Sequence, residues 1–197
     1  MANTSAPNGF QIFGRQEGGS PTAGLTTATI ASNDANAIGY GDPVIPLNTG
    51  FIKVATASTV PFAGIFYGCE YYATAVGRRI WSPNWPGSGN TGVVTAYLCS
   101  DPQALFVAQT DGTAAIVFAD LNANAQVVMG TPNAITGFST SMIDHTPNTT
   151  ATFPFRIVGL LSSYLPSGSI NGTDDTTPFN RIIVAPNFWQ RASQTGI

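Results

Sequence analysis

At 197 residues, 43% of them hydrophobic, the chain is long enough to bury a core of its own, which excludes a disordered polymer. Its 21 glycines and 14 prolines are too many breakers for long helices, and a polar complement of Thr, Ser and Asn favours strands and turns. Charged residues make up 9%, against about 25% in an average soluble protein, and a net charge of −3 provides no clustered basic surface for nucleic acid.

Taken in chain order, the sequence opens on Met1–Pro7 with neither a basic region nor an apolar run, so no secretory signal is expected. Residues 1–24 are rich in glycine and proline yet hold Phe10, Ile12 and Phe13 at extended spacing. They read either as an arm that docks on another surface or as a first edge strand on their own domain. A β domain is expected over residues 25–185. Leu25–Ala31 alternates with threonine, Val44–Leu47 and Phe51–Val54 flank the turn signal Asn48-Thr49-Gly50, and Phe62–Tyr72 is an aromatic run broken by Gly64 and Gly68. Glycines inside a strand signal a bulge or a close backbone approach.

Residues 82–92 read as a loop, flanked by Trp81 and containing Trp85. Val93–Cys99 looks buried on both faces, as a central strand would be. Leu105–Gln109 and Ala114–Phe118 flank Asp111-Gly112, a hairpin-type turn. A helical turn is expected within 119–126, and strands at Gly137–Ile143, Phe155–Leu161 and Arg181–Ala185. This makes about ten short strands at the spacing of a β-sandwich, jelly roll or barrel. The fold class is therefore all-β, closed by a tail over residues 186–197 that holds Phe188, Trp189 and Arg191.

Chemistry-bearing groups are sparse. His145 is the only histidine, which excludes a metal cluster built on several, and no hydrolase or phosphate-binding motif is present. Neither a cofactor nor a metal is implied. Cys69 and Cys99 lie in apolar runs and read as reduced, buried thiols; pairing either with His145 requires a polar setting those runs lack. Glu17 and Glu70 are the only glutamates, and Glu70 beside Tyr71 and Tyr72 is the best candidate for an acid, against its reading as an outward strand residue. Asp174-Asp175 reads as a surface turn, with a calcium site as the lesser reading. Asn3, Asn148 and Asn171 match the glycosylation triplet only as composition predicts. Trp81 and Trp85, with Arg78 and Arg79 beside them, suit either a binding surface or a cap on the core, and the same choice applies to Phe188 and Trp189.

Several segments together carry a resemblance: Ala6-Pro7-Asn8-Gly9-Phe10, Ile38-Gly39-Tyr40-Gly41-Asp42-Pro43-Val44, Ala63-Gly64-Ile65-Phe66 with the later Tyr72, and Ala96–Pro102 leading into Leu105–Gln109. Asn122-Ala123-Asn124-Ala125 and Phe155–Leu160 continue it. In this order the chain resembles the head decoration, or capsid cement, proteins of tailed bacteriophages. The Trp81–Trp85 loop lies outside that pattern. The resemblance implies a non-enzymatic virion protein on the outer capsid surface, bridging capsomers. Its partners would be the major capsid protein and copies of itself, a trimer favoured and a dimer the alternative, with no nucleic acid and no membrane. On that reading the contacts fall to Phe10, Ile12 and Phe13, and to Phe188 and Trp189. A receptor- or carbohydrate-binding virion module is the second expectation, centred on Trp85, and a cell-wall hydrolase on Glu70 the third.

Overall fold

The computed structural model describes residues 2–18, 24–58, 61–88, 90–161 and 173–192. Asn171, part of the N-terminal segment and the end of the expected tail lie outside the described residues.

The chain is all-β. In order the strands are β1 (Gln11–Arg15), β2 (Thr26–Ile30), β3 (Pro43–Pro46), β4 (Ile52–Val54), β5 (Gly64–Ala73), β6 (Arg78–Ser82), β7 (Asn90–Cys99) and β8 (Ala104–Gln109). There follow β9 (Asn124–Ala125), β10 (Val127–Val128), β11 (Met142–Ile143), β12 (Phe155–Leu160) and β13 (Arg181–Pro186). Helical structure among the described residues is limited to single 3-10 turns at Phe118–Asp120 and Gln190–Ala192.

One sheet runs β3-β4-β2-β7-β5-β6 and closes on itself, because β5 also pairs back to β3 through Pro43↔Ile65 and Val44↔Gly64. The result is a five-stranded barrel with β6 attached to the far part of β5. A second, antiparallel sheet runs β1-β8-β13-β12-β9, and β10 and β11 form a separate pair.

Two cores follow from this arrangement. Ile30, Val44, Phe66, Cys69, Tyr71, Trp85, Val94, Ala96 and Leu98 fill the barrel. Ile65, Tyr67 and Cys99 from the barrel's other face meet Phe106, Ile157, Ile182 and Val184 of the second sheet. The long strand β5 serves both cores by changing parity. Ile65 and Tyr67 point to the inter-sheet core, whereas Cys69, Tyr71 and Ala73 point into the barrel. A register irregularity between Phe66 and Cys69 makes the change, and Gly68 sits within it at φ +132°. An inserted residue in a ladder flips the faces of everything after it, and glycine is the residue that accepts this backbone.

The N-terminal segment is the edge strand of its own domain, not a free arm. β1 pairs with β8, and the residues before it are laced down by side chains. Asn3 Nδ2 donates to the Asp174 carbonyl at 2.7 Å, Ala6 N donates to Gln109 Oε1 at 2.9 Å, and Gln109 Nε2 returns a bond to the Thr4 carbonyl at 3.0 Å. The expected tail is likewise anchored through its first residues: Trp189 bridges to Phe62, and Gln190 N donates to the Phe62 carbonyl at 2.9 Å.

Local readings also need correction. No hairpin forms at Asp111-Gly112; residues 114–117 are irregular, and β8 is flanked instead by β1 and β13. Residues 90–92, expected in a loop, begin β7, and Arg78–Ser82 is a strand with no sequence signal of its own length. β7 is central, between β2 and β5, but Val93 on its outer face is exposed.

Candidate functional site

The sequence offered Phe10, Ile12, Phe13, Arg78, Arg79, Trp81, Trp85, Phe188 and Trp189 as interface residues, and the fold divides them. Phe10, Trp85 and Trp189 are fully buried within the chain, so a contact role for them is corrected to a core role. Phe10 and Trp189 join Phe62, Phe106 and Phe155 in one aromatic cluster. Trp85 meets Tyr71 edge to face at 5.3 Å, and its Nε1 donates to the Asp34 carbonyl at 3.2 Å. Ile12 packs half-buried against the inter-sheet core, and Phe188 is half-buried. Phe13 is exposed on β1, in the other sheet from β6.

What remains together is the outer face of β6, β5 and β7. Strand periodicity fixes its members: residues of one parity on each strand point away from the barrel core. Register places Glu70 opposite both Trp81 and Thr95, and Tyr72 opposite Arg79 and Thr91. Trp81 is 57% exposed and Val93 67%, with Tyr72 also exposed beside them. The polar centre is ordered. Tyr97 Oη donates to Glu70 Oε1 at 3.0 Å, Arg79 Nε lies 3.7 Å from Glu70 Oε2, and Arg79 Nη2 donates to Thr95 Oγ1 at 3.2 Å. The hydrogen bond to Glu70 is the main reason the Tyr97 phenol is pushed above its ordinary range. Such solvent-facing ion pairs add little stability, so their effect is to fix side-chain positions.

Gly68 sets the tryptophan. A Cβ at that position would lie 2.9 Å from Trp81 Cζ2, so the indole lies across a strip of bare backbone. One part of the ring is supported while the remainder faces solvent. Sequence reading grouped Trp81 with Trp85, but the strand carries the first outward and the chain then turns the second into the core.

Groups that could do chemistry are dispersed. Cys69 lies in the barrel core, where burial pushes its thiol up to about 12, and Cys99 lies in the other core with its thiol also raised by burial. Cys69 Sγ contacts the Asn84 carbonyl at 3.7 Å. His145 Nδ1 contacts Asp111, its carboxylate oxygens at 2.8 and 3.0 Å, with Asp144 Oδ1 at 3.7 Å. These three residues bring potential ligand atoms within 4.8 Å of one another, a grouping hidden from sequence because Asp111 is remote in the chain. With Nδ1 already bonded to Asp111, the cluster reads as a cross-link between the end of β8 and the chain after β11. Glu70 is occupied by Tyr97 and Arg79 on an open sheet face, not in a cleft. A groove of about 300 Å³ between β2 and the β3–β4 turn has, among the described residues, Arg191 as its one titratable lining residue.

Comparison with family models, with curated proteins and with solved structures finds no match to this chain.

Proposed function

We propose that this chain is a non-enzymatic structural protein of a virion, which binds the outer surface of a capsid and braces neighbouring capsomers. The observation that supports a binding role is the outer face of β6, β5 and β7, where Trp81, Tyr72 and Val93 stand exposed around a positioned Arg79. Aromatic residues and arginine are the types that carry binding energy at protein interfaces, while lysine and glutamate are depleted there. A chain with one lysine and 9% charged residues fits a molecule whose surface is largely covered in its working state. The barrel supplies a rigid base, so little ordering cost falls on the contact residues when they engage. The capsid, and the major capsid protein as partner, come from the sequence resemblance.

The test is co-sedimentation of the purified protein with heads assembled from the major capsid protein of the same virus but lacking this chain. Binding is expected, weakened at least tenfold by Tyr72→Ala with Val93→Asp, both exposed positions whose change leaves the cores intact. Heads that take up none of the wild-type protein overturn the capsid reading.

The same face supports a second reading, as a carbohydrate-binding module. Trp81 and Tyr72 offer ring faces for stacking, and Glu70, Arg79 and Tyr97 supply acceptors and donors for hydroxyl groups. Quenching or enhancement of tryptophan emission by oligosaccharides, lost in Trp81→Ala, would favour it over the capsid.

A further inference from the structure

β6 pairs with β5 along one edge and with nothing along the other: among the described residues no backbone hydrogen bond reaches Arg78–Ser82 from outside the β5 ladder. An open edge presents unpaired N–H and C=O groups to any strand that approaches, and proteins block such edges with lysine, proline, bulges or a covering element. β6 contains no proline, and its register against β5 runs without a shift from Arg78 to Ser82. Its only guards are Arg78 and Arg79.

We propose that β6 pairs antiparallel with β6 of a second copy of this chain, about a twofold axis at Ile80, so that the sheet continues from one subunit into the other. The residue order selects that axis. With Ile80 on it, Arg78 stands opposite the partner's Ser82 and Arg79 opposite the partner's Trp81, so no arginine faces an arginine. Moving the axis to Arg79 sets two guanidinium groups against each other, and moving it to Trp81 places Pro83 in the ladder, where it has no N–H to donate. In the Ile80 register each Trp81 stands across the seam from the partner's Arg79 on the exposed face both side chains share, and pairing turns both from their contacts within one subunit, Arg79 from Glu70 and Thr95 and the indole from Gly68, towards each other. Directly opposed side chains in a ladder stand about 5 Å apart at Cβ, within reach of a cation–π contact.

Further apolar side chains stand exposed in the segments around β6. Val76, in the turn between β5 and β6, is exposed. Asn84 lies against Gly137, where an added Cβ would come within 2.9 Å of it. Next to that contact along the chain are Ile135, 95% exposed, and Phe138, also exposed. The β6–β6 interface is isologous and closes at two subunits.

Sedimentation of the purified full chain over graded concentrations tests the pairing. A monomer–dimer equilibrium is expected, with a change in Trp81 emission as dimer forms. Trp81→Lys puts a lysine opposite the partner's Arg79 and is expected to weaken association at least tenfold, whereas Trp81→Phe retains the ring and the dimer. Both changes fall on an exposed side chain, and an unaltered far-ultraviolet circular dichroism spectrum confirms the fold. A chain that stays monomeric at every concentration, a trimer or larger assembly, or a dimer indifferent to Trp81→Lys overturns the proposal. No capsid enters the measurement, so its outcome is independent of whether the protein binds heads.

Discussion

Phe10 and Phe155 stack face to face, ring centroids 4.6 Å apart and planes 12° from parallel. This contact joins the N-terminal segment to β12 across the middle of the inter-sheet core, where Phe62, Phe106 and Trp189 pack around the same Phe155 ring. The Phe10 carbonyl also accepts the buried Tyr67 hydroxyl at 2.8 Å. The segment is therefore part of what holds the domain together.

Phe10→Ala is expected to cost about 3–5 kcal/mol, the usual range for deleting a buried phenyl ring. Removing residues 1–13 takes away this ring, half of the β1 ladder and the Thr4 and Ala6 partners of Gln109, against a total stability of roughly 5–15 kcal/mol for a domain. Urea denaturation with far-ultraviolet circular dichroism should show the truncated chain largely unfolded in water. A truncated protein with the wild-type midpoint would mean that the segment is a dispensable arm after all.

Asp42 is the buried charge on which a pH dependence should be visible. Its carboxylate accepts Gly39 N at 2.7 Å, Ser141 Oγ at 3.0 Å and a short bond from Ser139 Oγ, which tie the chain around residue 140 to the turn before β3. Burial outweighs these bonds and raises its pKa. A carboxyl group raised on folding binds its proton more tightly in the native state. Its contribution is then complete below the unfolded value and is lost as pH rises through the folded one. Asp42→Asn removes this titration and sets an amide N–H₂ against Gly39 N–H, costing about 1–3 kcal/mol for the lost acceptor. The stability gap between wild type and variant should narrow as pH rises from 4 towards neutrality. Denaturant midpoints measured at several pH values would reveal a gap that is flat or widening, either of which contradicts this account.

How far the sequence reveals this architecture depends on which contacts make each part. Strands such as Thr26–Ile30, Ala104–Gln109, Phe155–Leu160 and Arg181–Pro186 announce themselves by residue type and alternation, and all form. The closure of the barrel does not, because it rests on two residue pairs between β3 and β5 that no local pattern encodes. Likewise Phe10, Ile12 and Phe13 look alike as an extended apolar triplet, yet they range from buried to exposed; a bulge in β1 between Ile12 and Gly14 and the neighbouring strands decide which is which. Of the candidate surface, Arg78, Arg79 and Trp81 were legible as an aromatic–basic cluster. Glu70, Thr95 and Tyr97 join it only through register.

The two cysteines provide a simple probe of the paired cores. Cys69 and Cys99 are free and buried, each in a different core, and burial raises both thiols, Cys69 to about 12. The thiolate is the reactive species, so at pH 8 neither should react with a thiol-specific reagent while the protein is folded. Both should react in denaturant, giving two equivalents per chain. Rapid labelling of either in buffer would place that thiol at the surface and contradict the assignment of its core.

Gly68 joins the fold to the exposed tryptophan, and a double-mutant cycle can measure that coupling. At φ +132° the position disfavours any side chain, and an added Cβ would meet Ser82 O at 3.0 Å as well as Trp81 Cζ2 at 2.9 Å. Gly68→Ala should therefore destabilise by roughly 2–4 kcal/mol, partly from backbone strain and partly from displacing the indole. Trp81→Ala alone should cost little, because most of that side chain faces solvent. In the double variant the clash with the ring is gone while the backbone strain and the contact with Ser82 remain. The combined loss should then fall short of the sum of the single losses by about 1 kcal/mol, the interaction expected of residues in direct contact. Additive losses would show that the indole does not rest on Gly68. The outer face would then lack the support that holds Trp81 ready for a partner.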